Sequence, residues 1–99
     1  MSQPVAEITL PTIHMNGTGI ATLVETYEAA AHALDDFIGA WGQTEFNARD
    51  YYPQEPEAWN RAVAQREAMS ARIREVRDYL AKHREHFSDH LIEQENRRR

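Results

Sequence analysis

Residues 20–41, IATLVETYEAAAHALDDFIGAW, are the stretch on which the fold turns. Ile20, Val24, Tyr27, Ala31, Leu34, Ile38 and Trp41 succeed one another at steps of four and three. That is a heptad seam, which returns each apolar side chain to the side of a helix that faces a partner helix. The Asn16-Gly17 turn pair precedes it, Thr18 offers the hydroxyl of an N-cap, and Gly42 suits a helix stop. The spacing predicts a helix over 18–41.

A matching seam lies downstream. Pro56 stands where a helix tolerates a missing N–H, and Glu55 and Glu57 suit the positive end of its dipole. From there Trp59, Ala62, Arg66, Met69, Ile73, Val76, Leu80, His83 and Phe87 keep the three-four spacing. The expected organisation is an extended leader over 1–16, then a helical hairpin over 17–94. Within it a loop over 42–55 joins the first helix to a second over 56–93, and a frayed basic tail follows at 95–99. The fold class is all-α, an antiparallel two-helix hairpin with a coiled-coil-like seam. Laid antiparallel, the seams match in one register. Trp41 faces Trp59, Ile38 faces Ala62, Leu34 faces Arg66, Ala31 faces Met69, Tyr27 faces Ile73, Val24 faces Val76 and Ile20 faces Leu80. Arg66 is the polar intruder, with Asp35 as its expected partner.

This register carries two further expectations. The last dozen residues of the second helix, with Phe87, Leu91 and Ile92, overhang the first by roughly 20 Å. Val5, Ile8, Leu10, Ile13 and Met15 of the leader would lie along that overhang, or along another chain's. Beside the seam, Leu23, Ala30 and Phe37 form a second apolar stripe, with Tyr79 opposite Leu23. A hairpin buries one seam, so a second stripe needs another surface. The expected answer is a homo-oligomer in a helical bundle, with Leu23, Ala30, Phe37, Tyr79 and Phe87 at the interface. The alternative is the leader folding over the stripe within one chain.

The totals narrow the function classes. Ninety-nine residues, 41% hydrophobic and 27% charged, suit one folded domain. With no cysteine, disulfides, thiolate metal sites and thiol catalysis are excluded. The net charge is −5, and three of the eleven positive charges sit at Arg97, Arg98 and Arg99, so the body is more acidic still. Such a surface repels a phosphate backbone, and general nucleic-acid binding is not expected. No apolar run approaches the roughly 18 residues of a membrane span, and residues 1–16 lack the pattern of a secretory signal. A cytoplasmic protein without membrane contact is the expectation.

Chemistry-bearing groups gather in the loop, where Asn47, Arg49, Asp50, Tyr51 and Tyr52 lie within six positions. A guanidinium grips phosphate or carboxylate, and phenol rings stack on bases, so the set suits a nucleotide-like ligand. The other reading is structural: Tyr51 and Tyr52 plug the closed end under Trp41 and Trp59 while Arg49 and Asp50 tie down loop carbonyls and caps. His14 is a further candidate, placed at the opposite end of the hairpin. His83, His86 and His90 share one side of the second helix, and His86 with His90 has a metal-ligand spacing. No glutamate follows His86 to make a zincin pattern, and histidines near a helix C-terminus are favoured by the dipole alone. No metal or cofactor is expected. Phosphate loops, nucleophile elbows and paired carboxylates in a cleft are all missing, so an enzyme is not expected. Glu25, Glu28, Asp35 and Asp36 of the first helix are expected to face Arg72, Arg74 and Arg77 as a complementary, solvated surface.

Ile13-His14-x-Asn16-Gly17-Thr18, a helix, then Asn47-x-Arg49-Asp50-Tyr51-Tyr52 and a second helix resembles a group of small proteins of tailed bacteriophages and prophages. Ala48 stands where that group carries glycine. The resemblance spans about residues 12–80 and implies a phage context in the host cytoplasm, with no catalytic residues. The resulting expectation is a binding protein, a counter-defence sponge for a nucleotide-type small molecule. The alternative is an inhibitor that presents its acidic helix to a host protein.

Overall fold

Helix α1 (Ile20–Gly42) and helix α2 (Glu57–Arg97) pack against each other as a hairpin in the computed structural model, which describes residues 7–98. A short 3-10 helix, Ala48–Tyr51, interrupts the loop, and there is no strand among the described residues. Val5 of the leader and Arg99 of the tail lie outside that range. The helix boundaries differ from expectation by one or two residues at three ends and by four at the last. Thr18 is one residue too early to cap α1. Gly19 is the N-cap, with no side-chain bond, and the first helical link is Leu23 N–H to the Gly19 carbonyl at 3.1 Å. Gly42 does end α1, without a left-handed backbone angle. At the far end α2 runs on to Arg97, so residues 95–97 of the expected frayed tail are helical, with Arg97 at the negative end of the dipole.

The register is the main correction. Tyr27 stacks on His83, ring centroids 5.0 Å apart, where the expected seam set it against Ile73 ten residues earlier. Trp41 donates its indole N–H to Ser70 Oγ at 3.1 Å rather than facing Trp59. Val24 shares a hollow with Phe87 and Leu91, not with Val76, so Ile20 lies beyond Phe87 and not beside Leu80. The slide amounts to three seam steps, close to three full helical turns, and it returns the same side chains to the same face. Spacing alone does not distinguish the two registers. The loop decides. Phe46 and Tyr51 close on Trp59 at centroid distances of 4.8 and 5.5 Å, so the first turns of α2 pair with the loop instead of with α1.

Sliding α2 shortens the overhang and moves Phe87 into the seam. Phe87 is 1% exposed, with the edge of Tyr27 at 5.1 Å. It is therefore packed inside its own chain, where the expectation set it on an exposed overhang at an oligomer interface. His83 beside it is 2% exposed, held between Tyr27 and Tyr79, and its Nδ1–H donates to the Tyr79 carbonyl at 2.9 Å. The leader reaches the same region from outside. Its Pro11 carbonyl accepts from His86 Nε2 at 2.6 Å, and Leu10 lies over Lys82 and Asp89. Its described residues pack on α2 of their own chain and leave the stripe open: Phe37 is 47% and Tyr79 41% exposed, Ala30 is exposed and Leu23 half-buried.

Arg66 differs from expectation too. Its Nη2 donates to the Trp41 carbonyl at 2.9 Å, and its guanidinium lies 4.1 Å from the Trp41 ring and 5.0 Å from the Phe46 ring. Asp35 is not its partner, because the slide carries Arg66 to the end of α1.

Phe87→Ala removes a fully buried ring and is expected to cost about 3–5 kcal/mol in denaturant unfolding. A loss under about 1 kcal/mol would return Phe87 to an exposed overhang and overturn the register.

Candidate functional site

The loop between the helices is built from the aromatic side outward. Thr44 closes the last turn of α1: its N–H and hydroxyl both donate to the Trp41 carbonyl, at 3.2 and 2.7 Å. Phe46 then drops onto Trp59, and Asn47 begins the 3-10 helix, its carbonyl accepting from Asp50 N–H at 3.1 Å. Ala48 sits in this helix with an ordinary backbone angle, so the position makes no demand for glycine. Pro53 and Pro56 bracket the approach to α2, where Ala58 N–H reaches the Glu55 carbonyl at 2.9 Å and Arg61 pairs with Glu55.

This construction divides the predicted cluster. Tyr51 is half-buried against Phe46 and Trp59 and serves as the plug. Asn47 is half-buried, its amide donating to Glu45 Oε2 at 3.2 Å. Arg49, Asp50 and Tyr52 point outward, Tyr52 with 75% of its surface exposed. No side-chain hydrogen bond or ion pair holds Arg49 among the described residues. His14 does not join them. It lies before α1, stacked over Gly17, where an added Cβ would stand 2.9 Å from its Nε2. The 23 residues of α1, about 35 Å of helix, separate it from the loop. The three α2 histidines do not converge either: His83 turns to Tyr79, His86 to Pro11, and His90 Nε2 is buried without a hydrogen-bond partner. No group of three potential metal ligands forms among the described residues.

The concave surfaces lie between the helices. On one face Phe37, Trp41, Met69, Ile73 and Val76 line an open apolar groove of about 350 Å³. On the other, the expected complementary charge surface is not formed by Arg74 and Arg77 among the described residues. Arg84 makes the cross-helix pair, gripping Glu28 with two bonds of 2.9 and 2.8 Å, while Arg74 and Arg77 engage no carboxylate. The sequence carried the arginines plainly. The register needed to say which of them meets an acid was missing.

Arg84's hydrogen bonds hold the Glu28 carboxyl below its ordinary 4.5, against a smaller opposing effect of desolvation. Arg61 does the same for Glu55. A depressed folded-state value stabilises the hairpin above the unfolded-state pKa and loses that contribution as pH falls through the folded one. No helix among the described residues is long and apolar enough to cross a membrane. No protein-family model, curated protein or solved structure matches the chain.

Two outcomes follow from this geometry. Tyr51→Ala is expected to lower stability by about 2 kcal/mol while Arg49→Ala stays within about 0.5 kcal/mol of the parent in denaturant titration. Glu28→Gln is expected to lower the melting midpoint at neutral pH and to flatten its fall between about pH 5 and pH 3. An unchanged acid limb would remove Glu28 from the hairpin's stability.

Proposed function

We propose that this chain is a non-enzymatic phage or prophage protein that acts by binding and works as a homo-oligomer. The observation that supports it is the apolar groove on a hairpin with almost no interior. Among the described residues Ala31, Ala58 and Phe87 are the buried apolar side chains, whereas Phe37, Met69 and Val76 are 47, 38 and 50% exposed along one face. So thin a core supplies little of the burial that folding needs, and a second hairpin laid on this face supplies more. Phe37 and the adjoining Ala30 and Leu23 then lie in the interface, with Tyr79 at its margin.

What the assembly binds is a nucleotide-type small molecule of the host, sequestered as a counter-defence. Arg49 and Tyr52 support this: the fold commits their neighbours Asn47 and Tyr51 to the loop and leaves these two free at the surface. A second reading, a host protein held on the acidic helix, is favoured by the exposure of Glu25, Asp35 and Asp36.

Phe37→Asp would bury an unpaired charge in the interface and is expected to release protomers of 11.5 kDa in light scattering. A wild-type mass of one protomer at micromolar concentration would remove the oligomer. For the ligand, a panel of mono-, di- and cyclic nucleotides is screened by thermal shift. A hundredfold excess over the dissociation constant stabilises the native state by about 2.7 kcal/mol. That raises the midpoint by several degrees in a domain of this size. Arg49→Ala is expected to lower the shift. If no nucleotide shifts the wild type, the host-protein reading takes its place.

A further inference from the structure

Arg74 and Arg77 stand one turn apart on α2, both exposed and neither engaged by a hydrogen bond or ion pair among the described residues. In a chain of net charge −5 two such guanidiniums on one face are conspicuous for what they border. Between them and α1 lies a hollow of about 220 Å³ with Ile38, Trp41 and Ile73 as its floor and Ser70, Arg74 and Arg77 at its rim. No carboxylate lines it. The adjoining hollow, across Arg77, is different: Asp35 lines it and its Arg84 is already tied to Glu28. Ser70 adds a directed donor. Its oxygen accepts the Trp41 indole N–H at 3.1 Å, which leaves its own O–H to give.

The geometry points to a binding site for a planar organic anion, a single aromatic ring system bearing a phosphate, in this arginine-rimmed hollow. The ring lies on Ile38 and Ile73 beside the Trp41 indole, and the phosphate sits between Arg74 and Arg77. Residues three apart on a helix are neighbours, so both guanidiniums reach one phosphate, and each offers paired N–H donors in a fork that matches it. Size sets the limit to one ring system, because drug-sized ligands fill pockets of roughly 300 Å³ or more. The site is separate from the Arg49 loop and stands whether or not that loop binds anything.

The test uses the full chain carrying Trp59→Phe, so that Trp41 is the sole indole, and reads Trp41 fluorescence. Calorimetric titration of the unsubstituted chain checks the same ranking without that substitution. The probes are 1-naphthyl phosphate and adenosine monophosphate, with adenosine and inorganic phosphate as the ring-only and phosphate-only controls. The ring-bearing phosphates are expected to quench Trp41 and to bind about tenfold or more tighter than either control. Arg77→Gln is expected to weaken them about tenfold, as the loss of a charge-assisted pair of hydrogen bonds does, and Arg49→Ala to leave them unchanged. The ratio of the two ring phosphates then separates a nucleotide site from one open to any planar anion. Equal binding of adenosine and its monophosphate, indifference to Arg77→Gln, or no response to any probe overturns the site. Binding lost in Arg49→Ala but kept in Arg77→Gln overturns it in favour of the loop.

Discussion

The Arg66 guanidinium joins the three parts of the chain that must agree for the hairpin to close. It donates to the last exposed turn of α1 through the Trp41 carbonyl and covers one face of the Trp41 ring. It also sits against Phe46, the residue that brings the loop onto Trp59. A cation over an aromatic face is attracted by the ring's quadrupole and keeps its donors for polar partners in the ring plane's surroundings. Lysine lacks the planar fork to do both. A seam of repeating apolar residues slides by whole turns at little cost. A directed bond from α2 to the end of α1 does not slide. Position 66 breaks the degeneracy of the seam.

From that anchor the rest of the register is forced. With Trp41 level with Ser70, Tyr27 comes level with His83 and Val24 with Phe87. The molecule's most enclosed region is then near its open end, where three aromatic rings, His83 and the returning leader meet. Its middle is thin. Between Ala31 and Trp41 the two helices bury little, and each side of the hairpin shows a hollow: apolar by Phe37 and Met69, cationic by Arg74 and Arg77. A two-helix layer has two outer faces and no material for a core beneath either. The chemistry of each face is what remains for a partner to read.

The helix positions, their antiparallel order and the loop between them were legible because heptad spacing and Gly or Pro punctuation are local signals. The register was not, because its determinants are the Arg66 bond to the end of α1 and the loop contact on Trp59, neither of which spacing encodes. Phe46 gave no sign in the sequence that it would cover Trp59, and matched seams satisfied the spacing equally well ten residues away. The other differences follow from the register. The expected one placed Phe87 on an overhang, gave Arg66 to Asp35, and set Arg74 and Arg77 against acids they do not meet. The loop cluster was read as one unit, yet burial separates adjacent tyrosines: on a 3-10 turn residues 51 and 52 point about 120° apart, so one packs and the other does not.

The same division explains why a small acidic hairpin holds its positive charge where it does. Arg61, Arg66 and Arg84 each meet a specific acceptor, Glu55, the Trp41 carbonyl and Glu28, and the last two tie together segments distant in the chain. Those three account for the entry to α2, the end of α1 and the seam toward the open end. Arg49, Arg74 and Arg77 contribute to none of these joints. Exposed arginines without partners cost the fold little and contribute little to it. On a surface whose net charge is negative they create local reversals of sign, and the reversal beside Trp41 coincides with a floor of apolar side chains.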